Sequence, residues 1–377
     1  MEDGPVGRIN RHFGSLEDPR IDRQKLHNLT DMVVISICGT ICGADSWVAI
    51  ERFGKAKLSW FQTFLDLPNG IPSHDTFGRV FAALDPEQFA NCFMSWVQSL
   101  GEQLEGQVVA LDGKMLRRSM DTASAKSPMY MVSAWADANR LVLGQLKVDE
   151  KSNEITAVPK LLDMLMLERS IVTMDAIGCQ KEIAQKVLDN GADYLLAVKG
   201  NQKTLARDLR SLFDEAELTS YRHTECEQRQ MCEKGHGRIE TRRCSVITDP
   251  EYLFYLEGLK WPGLRSIVKL EGERKIGDKI ETHTRYYISS LPGDAAKTLA
   301  AARGHWGIEN SLHWVLDIGF REDESRIRQG NAAENMARLR QIALNLLRRE
   351  KTAKCGIATK RLMAGWDESY LAKVLSG

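Results

Sequence analysis

Three carboxylates stand out by residue type and position. Two apolar runs each close on an aspartate, Val108-Val109-Ala110-Leu111-Asp112 and Ile171-Val172-Thr173-Met174-Asp175, and a glutamate follows inside His305-Trp306-Gly307-Ile308-Glu309-Asn310. Open α/β sheets gather their chemistry at the carboxyl ends of buried strands. A third carboxylate from a helix would complete a set of hard oxygen ligands suited to magnesium. Two ions about 3.5–4 Å apart can activate an attacking oxygen and stabilise a leaving one. Phosphodiester cleavage, whose uncatalysed barrier is large, calls for such an arrangement. In it Asp112 bridges the ions, Asp175 flanks it from a neighbouring strand, and Glu309 reaches in from a helix packed on the sheet. The competing reading makes each aspartate a turn former or helix cap; Gly113 favours that reading at Asp112.

His305, Glu309 and His313 fall on one helical stripe at four-residue spacing. A zinc site is the alternative there. At 1.5 Å per residue, however, the two histidines lie about 12 Å apart along the axis and cannot share one ion. Trp306, Leu312 and Trp314 read as helix-packing residues rather than base-stacking ones. Basic and amide residues gather near the carboxylates: Lys114, Arg117 and Arg118 after Asp112, Lys199, Asn201 and Gln202 after a later strand, and Arg321, Arg326 and Arg328 after the glutamate helix. Such groups suit phosphate contacts and salt-dependent binding; solvated surface charge is the alternative. Period two puts Arg238, Glu240 and Arg242 on one face of a strand, a backbone grip or an exposed edge.

The elements that position these residues follow from pattern. The first hundred residues are predicted helical, with Asp85-Pro86-Glu87-Gln88 as a start signal. From Gln107 the order becomes strand, strand, strand, helix, strand, helix, strand, helix. The strands are those ending at Asp112 and Asp175 and those over residues 130–136, 140–148 and 194–198; Asp137-Ala138-Asn139 turns between two of them. This predicts a mixed sheet flanked by helices. Residues 220–292 read as a β-rich insertion, with strands over 238–247, 266–270 and 282–290. A helix then runs from about Ala295 through Leu316, and another, rich in arginine, spans 331–350. The division expected is 1–104 helical, 105–219 first part of the sheet domain, 220–292 insertion, and 293–377 completion of that domain with C-terminal helices.

The 377 residues carry no formal net charge and 43% apolar residues, an ordinary soluble composition. No global basic field marks a nucleic-acid partner, although local patches would suffice. The longest apolar stretch, Met32 to Ala44, is too short for a bilayer and reads as a buried helix. No signal-peptide pattern opens the chain, and the eight scattered cysteines lack zinc spacing, so a reducing cytoplasm is expected.

Six motifs taken together resemble one family: Ala110-Leu111-Asp112-Gly113-Lys114, Lys151-Ser152-Asn153-Glu154-Ile155, Val172-Thr173-Met174-Asp175-Ala176, Lys199-Gly200-Asn201-Gln202, the run from His305 to Trp314, and Asp317-Ile318-Gly319-Phe320-Arg321-Glu322-Asp323. The chain resembles the H-repeat-associated transposases of bacteria, a branch of the DDE transposases, from about Asp18 to Leu347. Pro72-Ser73-His74-Asp75-Thr76-Phe77 is similar to that family's N-terminal associated domain. The resemblance implies a ribonuclease-H-like fold with a DNA-binding helical domain, and DNA cleavage and strand transfer by Asp112, Asp175 and Glu309; the alternatives are a nuclease of the same fold and a non-mobilising, DNA-binding relic of a transposable element. It implies two magnesium ions, replaceable by manganese, with double-stranded DNA (element ends and target) as partner. A homodimer on DNA, nucleoid-associated in the cytoplasm, follows from it. The DNA-contacting set would join the basic and amide residues above to Arg238, Arg303, His305, Asn310 and His313. Where better-known relatives place tyrosine, arginine and lysine around the glutamate, this chain has Ala302, His305 and Leu316, so His305 is expected to act as the phosphate donor.

Overall fold

Side-chain caps begin four of the helices in the first hundred residues. The computed structural model describes residues 7–22, 25–100, 104–119, 128–148, 154–235 and 237–376; the motif residues 151–153 and His236 lie outside the described residues. Helices α1 (Gly7–Phe13), α2 (Leu29–Ile41), α3 (Trp47–Ala56), α4 (Leu58–Phe61), α5 (His74–Ala83) and α6 (Pro86–Ser99) form the leading layer. Asn28, Ser46, Ser73 and Asp85 accept hydrogen bonds from first-turn amides of α2, α3, α5 and α6, satisfying donors that the helix itself leaves open. The apolar stretch from Met32 forms α2, buried on every side.

The sheet follows with β1 (Val108–Leu116), β2 (Met129–Ala136), β3 (Leu141–Lys147), α7 (Glu154–Asp163), β4 (Ile171–Met174), α8 (Lys181–Asp189), β5 (Asp193–Val198) and α9 (Lys203–Leu218). The hairpins pair β1, β2 and β3 antiparallel, and the helical crossovers return β4 and β5 parallel to β1. Their spatial order, β3-β2-β1-β4-β5, is the ribonuclease-H-like arrangement. Then come β6 (Cys226–Gly235), β7 (Arg238–Ile247), α10 (Pro250–Glu257), β8 (Ser266–Ile276) and β9 (Lys279–Ser289). β9 pairs antiparallel with β5, so these strands continue the same sheet to nine, ending on β6.

Two expectations need correction. β1 does not end at Asp112: it runs on to Leu116, with Asp112 paired to Ser133 and Gly113 to Val132. Only the parallel partner β4 stops there, at Met174. β6 was absent from the sequence reading because nearly all its residues are exposed, so neither face imposes an apolar alternation.

The glutamate-bearing helix is also interrupted. α11 (Ala295–Gly307) passes into a π-helical turn, Ile308–His313, and then into α12 (Trp314–Phe320). α11 packs Ala295, Leu299, Ala301 and Ala302 on the sheet face that carries Ile171 and Leu195. α7, α8 and α9 contribute Leu161, Ile183, Leu209 and Phe213 to the main core, and Phe213 meets the Tyr286 ring at 5.8 Å.

The chain closes with α13 (Ala332–Arg349), α14 (Ile357–Trp366) and α15 (Glu368–Ser376). α13 is buried along nearly its whole length, arginines included. Its polar side chains serve the outer border of β3. Asn345 accepts from Val142 N and donates to Val142 O, each at 2.9 Å, and Arg338 donates to Gln145 O at 3.1 Å.

Gly307 shows how tightly α11 approaches β2. A β-carbon there would stand 1.9 Å from Asp137 Oδ1 and 3.2 Å from Trp135 Nε1. Gly307→Ala is therefore expected to destabilise the fold. Overpacking costs about 1–3 kcal/mol, while the helix-propensity gain is only about 1 kcal/mol. The net loss should appear as a lower urea midpoint; an unchanged midpoint would mean that the interface yields.

Candidate active site

Alternation decides which way the aspartates face. Along β1, Val108, Ala110 and Asp112 share a face; along β4 and just past it, Ile171, Thr173 and Asp175 do so. Both series face α11: Ile171 belongs to its core cluster, and Val108 packs against it and touches Gly304. The register pairs Leu111 with Met174, so Asp112 and Asp175 occupy the next neighbouring positions. Asp175 also caps the turn that follows, accepting from Ile177 N at 3.0 Å. Cap and site residue are thus not exclusive roles. Asp112, Asp175 and Glu309 line one cleft of about 650 Å³. Among the described residues no three His, Cys, Asp or Glu side chains are drawn together into a set that could hold a metal ion as they stand.

Two histidines tie the glutamate segment to the two strands. His305 Nδ1 lies 3.1 Å from Thr173 Oγ1 on β4, and His313 Nδ1 lies 3.4 Å from Asp112 Oδ2 on β1. In an uninterrupted α-helix, residues four apart drift about 40° per step. A π turn holds more residues and takes back that drift, so both rings stay toward the sheet. Burial pushes the His305 imidazole down to about 4, against the pull of Asp175. Burial, with Lys114 adding to it, pushes His313 down to about 3. Both rings are therefore neutral at pH 7, and the proton of His313 is assigned to Nδ1, facing the carboxylate. Its Nε2 is buried without a hydrogen-bond partner.

A second rung lies two residues along β1. Lys114 Nζ contacts Asp317 and, at 2.9 Å, Glu322. Two strand residues advance about 6.6 Å and four helical residues about 6 Å, so 112–313 and 114–317 match in spacing. Lys114 is only 12% exposed and Glu322 1%. Burial opposes the charge on Lys114, but Glu322 and Asp317 outweigh it and hold the amine above its ordinary value. Asp317 is nonetheless pushed up, by burial first, with Asp323 and Glu322 adding to it. The two directions differ because one amine serves three acids, with Asp323 at 4.0 Å.

The structure gathers some of the residues singled out from sequence and scatters others. Lys199 and His305 line the carboxylate cleft. Asn201 and Gln202 instead donate to the carbonyls of Ala176 and Cys179, bracing the turn after Asp175. Arg117 pairs with Asp323 at 3.3 Å, and Arg328 donates to the carbonyl of Arg118. Arg238 pairs with Glu240 in the ribbon and Arg303 with Glu233 on β6, each at 2.7 Å. Asn310 donates back to Trp306 O. Arg321, paired with Glu324, and Arg326 line a separate cavity of about 780 Å³ beside α3 and α5. Of the three residues assigned to packing, Leu312 is buried, but Trp306 is 39% and Trp314 60% exposed. Trp306 lies in the cleft beneath the Arg285 guanidinium, 4.3 Å from its ring centre. The sequence reading passed over Arg285, Lys203, Arg207 and Arg210, which share that cleft. The spacing 199, 203, 207, 210 was the available signal.

Comparison with known proteins fits this geometry. Residues 103–346 match the family model described as Transposase DDE domain, and residues 10–97 match the one described as DDE_Tnp_1-associated. The Escherichia coli K12 protein named "H repeat-associated putative transposase YhhI" is 40% identical over 374 residues, 98% of each chain. "Putative transposase YncI" of Escherichia coli O157:H7 is 41% identical over 369 residues, 97% of this chain and 93% of its own. A piggyBac transposase synaptic complex with hairpin DNA aligns with a TM-score of 0.40 at 9% identity over 98% of this chain and 78% of that one, too distant to bear on the site.

Lys114→Met leaves the buried Glu322 and the half-buried Asp317 without the cation nearest to them. It is expected to cost about 3 kcal/mol, measured by urea unfolding, and adding Asp317→Asn should recover part of that loss. A single variant as stable as the parent would remove the second rung from the account.

Proposed function

The chain belongs to the bacterial DDE transposases, in their H-repeat-associated branch, and we propose that it cuts and joins double-stranded DNA at element ends and target through Asp112, Asp175 and Glu309. The observation that carries this reading is the adjacent register of the two aspartates, facing the segment that bears the glutamate. The donor set fits magnesium, with manganese as substitute, because all three groups offer hard oxygens. When bound, two such ions supply Lewis-acid activation of the attacking hydroxyl and stabilisation of the leaving oxygen.

The chain's own residues do the rest. Asp112 and Asp175 would hold the ions from neighbouring strands, with Glu309 completing the set from the π turn. His313, neutral, orients Asp112 through Nδ1–H, a carboxylate–histidine contact of the kind that tunes metal sites. His305, braced on Thr173, donates to a phosphate oxygen. Joining requires two DNA ends at once, so the active form is a homodimer on DNA.

The test uses purified protein with end-containing DNA, first with magnesium and then with chelator. Asp112→Asn, Asp175→Asn and Glu309→Gln should each lower cutting by more than about a hundredfold, beyond the effect of losing an outer-shell partner. Metal-independent cutting, or cutting that survives Asp112→Asn, overturns the site. Cutting without joining would make the protein a nuclease of this fold. His313→Ala should weaken manganese binding, followed by calorimetry, by about 10- to 100-fold. Equal binding would restrict His313 to packing. His305→Ala that cuts and joins at the parental rate would remove His305 as phosphate donor.

A further inference from the structure

The carboxylate cleft has a wall that the acidic triad does not use. α9 turns Leu205, Leu209, Leu212 and Phe213 into the core, which leaves the stripe Lys203, Arg207 and Arg210 facing outward. All three line the cleft, as does Lys199 one turn ahead, at the end of β5. Lys199, Lys203 and Arg210 make no ion pair with a carboxylate among the described residues; Arg207 pairs only with its neighbour Asp208, and is itself 73% exposed. Arg285 stands across the cleft, stacked on Trp306. Five cations therefore share the cleft with three carboxylates, Asp112, Asp175 and Glu309. This local excess contrasts with a chain of zero formal net charge, so the basic groups are concentrated here rather than spread as solubilising charge. The stripe has an end as well: the next position on the same face of α9 is Asp214.

We infer that Lys199, Lys203, Arg207 and Arg210 seat the sugar–phosphate backbone of the DNA next to the reacting phosphate, so that the duplex leaves the carboxylates over the end of β5 and along α9. The inference rests on the reading of DNA as substrate and adds to it a direction and a set of contacts. Lys203 to Arg210 spans about 10 Å at 1.5 Å per residue, and with flexible side chains its three cations can reach roughly two or three successive phosphates of one DNA strand. Point charges on flexible stems at that spacing suit sequence-independent backbone contacts, which position the duplex without reading its bases. Metal ions at the triad would neutralise the one acidic patch along this path.

Binding measured without catalysis tests this separately from the cutting reaction. The full chain is titrated against fluorescein-labelled double-stranded DNA of unrelated sequence, in chelator, over a series of salt concentrations. A duplex RNA of equal length serves as comparison. K203Q/R207Q/R210Q should weaken DNA binding by about tenfold or more and lower the slope of log affinity against log salt by about 2–3, since each phosphate contact contributes about 0.9. The charge-retaining K203R/R207K/R210K should bind within about twofold of the parent, and thermal melting should be unchanged for both variants, whose altered side chains are exposed. An unaltered salt slope in the glutamine variant overturns the inference. So does equal loss in the charge-retaining variant, or a defect confined to RNA. A parent chain that never cuts DNA but shows the expected slope change would refute the triad and leave this track standing.

Discussion

The distance at which α11 can lie against β1 and β2 governs the rest of the cleft. At Gly304 and Gly307 the helix has no side chain between its backbone and Val108, Asp137 and Trp135, and at Ala301 and Ala302 only a methyl. That close approach brings the following π turn within reach of the strand ends. A bulkier helix would stand off, and His305 and His313 would each fall short of the strand they now meet. Small residues here act as a spacer setting, and the larger ones before them hold the helix down on the sheet.

Given that spacing, the two rungs fix rotation and register. His313 on Asp112 and Lys114 on Asp317 hold one line of the helix along one line of β1, while His305 holds the preceding turn on β4. The π turn reconciles the two, because it keeps both histidines toward the sheet where a regular α-helix would drift away. Wider turns of this kind recur at functional sites, and here the reason is geometric. The cost is a partly buried cluster of one amine and three acids, which loses stability if Lys114 is removed.

Much of this was legible in the chain. The helix start at Asp85-Pro86, the succession of strands and helices after Gln107 and the turn at Asp137-Ala138-Asn139 all rest on local rules, and the sheet follows them. The aspartates could be picked out because each closes an apolar run that reads as a strand, with a third carboxylate downstream in a helical stretch. What escaped notice depended on distant partners. Gly113 reads as a turn until β2 is known to pair across it. Lys114 reads as a surface charge until residues some two hundred positions away supply its acids. Six residues of π turn carry too short a pattern to separate from an α-helix. β6, wet on both faces, gives no periodic signal at all. The stripe on α9 was visible in spacing, but only its position beside the carboxylates gives it meaning.

The service that α13 performs for β3 has a further consequence. An open sheet ordinarily offers a template for another chain on each border. Here one border is sealed by Asn345 and Arg338, whose amide and guanidinium groups take the hydrogen bonds a further strand would claim. The opposite border, β6, carries Glu227, Arg229, Glu233 and Lys234, and mixed charge of this kind discourages strand addition. The nine-stranded sheet is thus protected from self-association by two unlike devices, one built from long-range folding and one written directly into the strand. Damage to α13 would then show itself as clumping of the protein, through the β3 border that Asn345 and Arg338 now occupy.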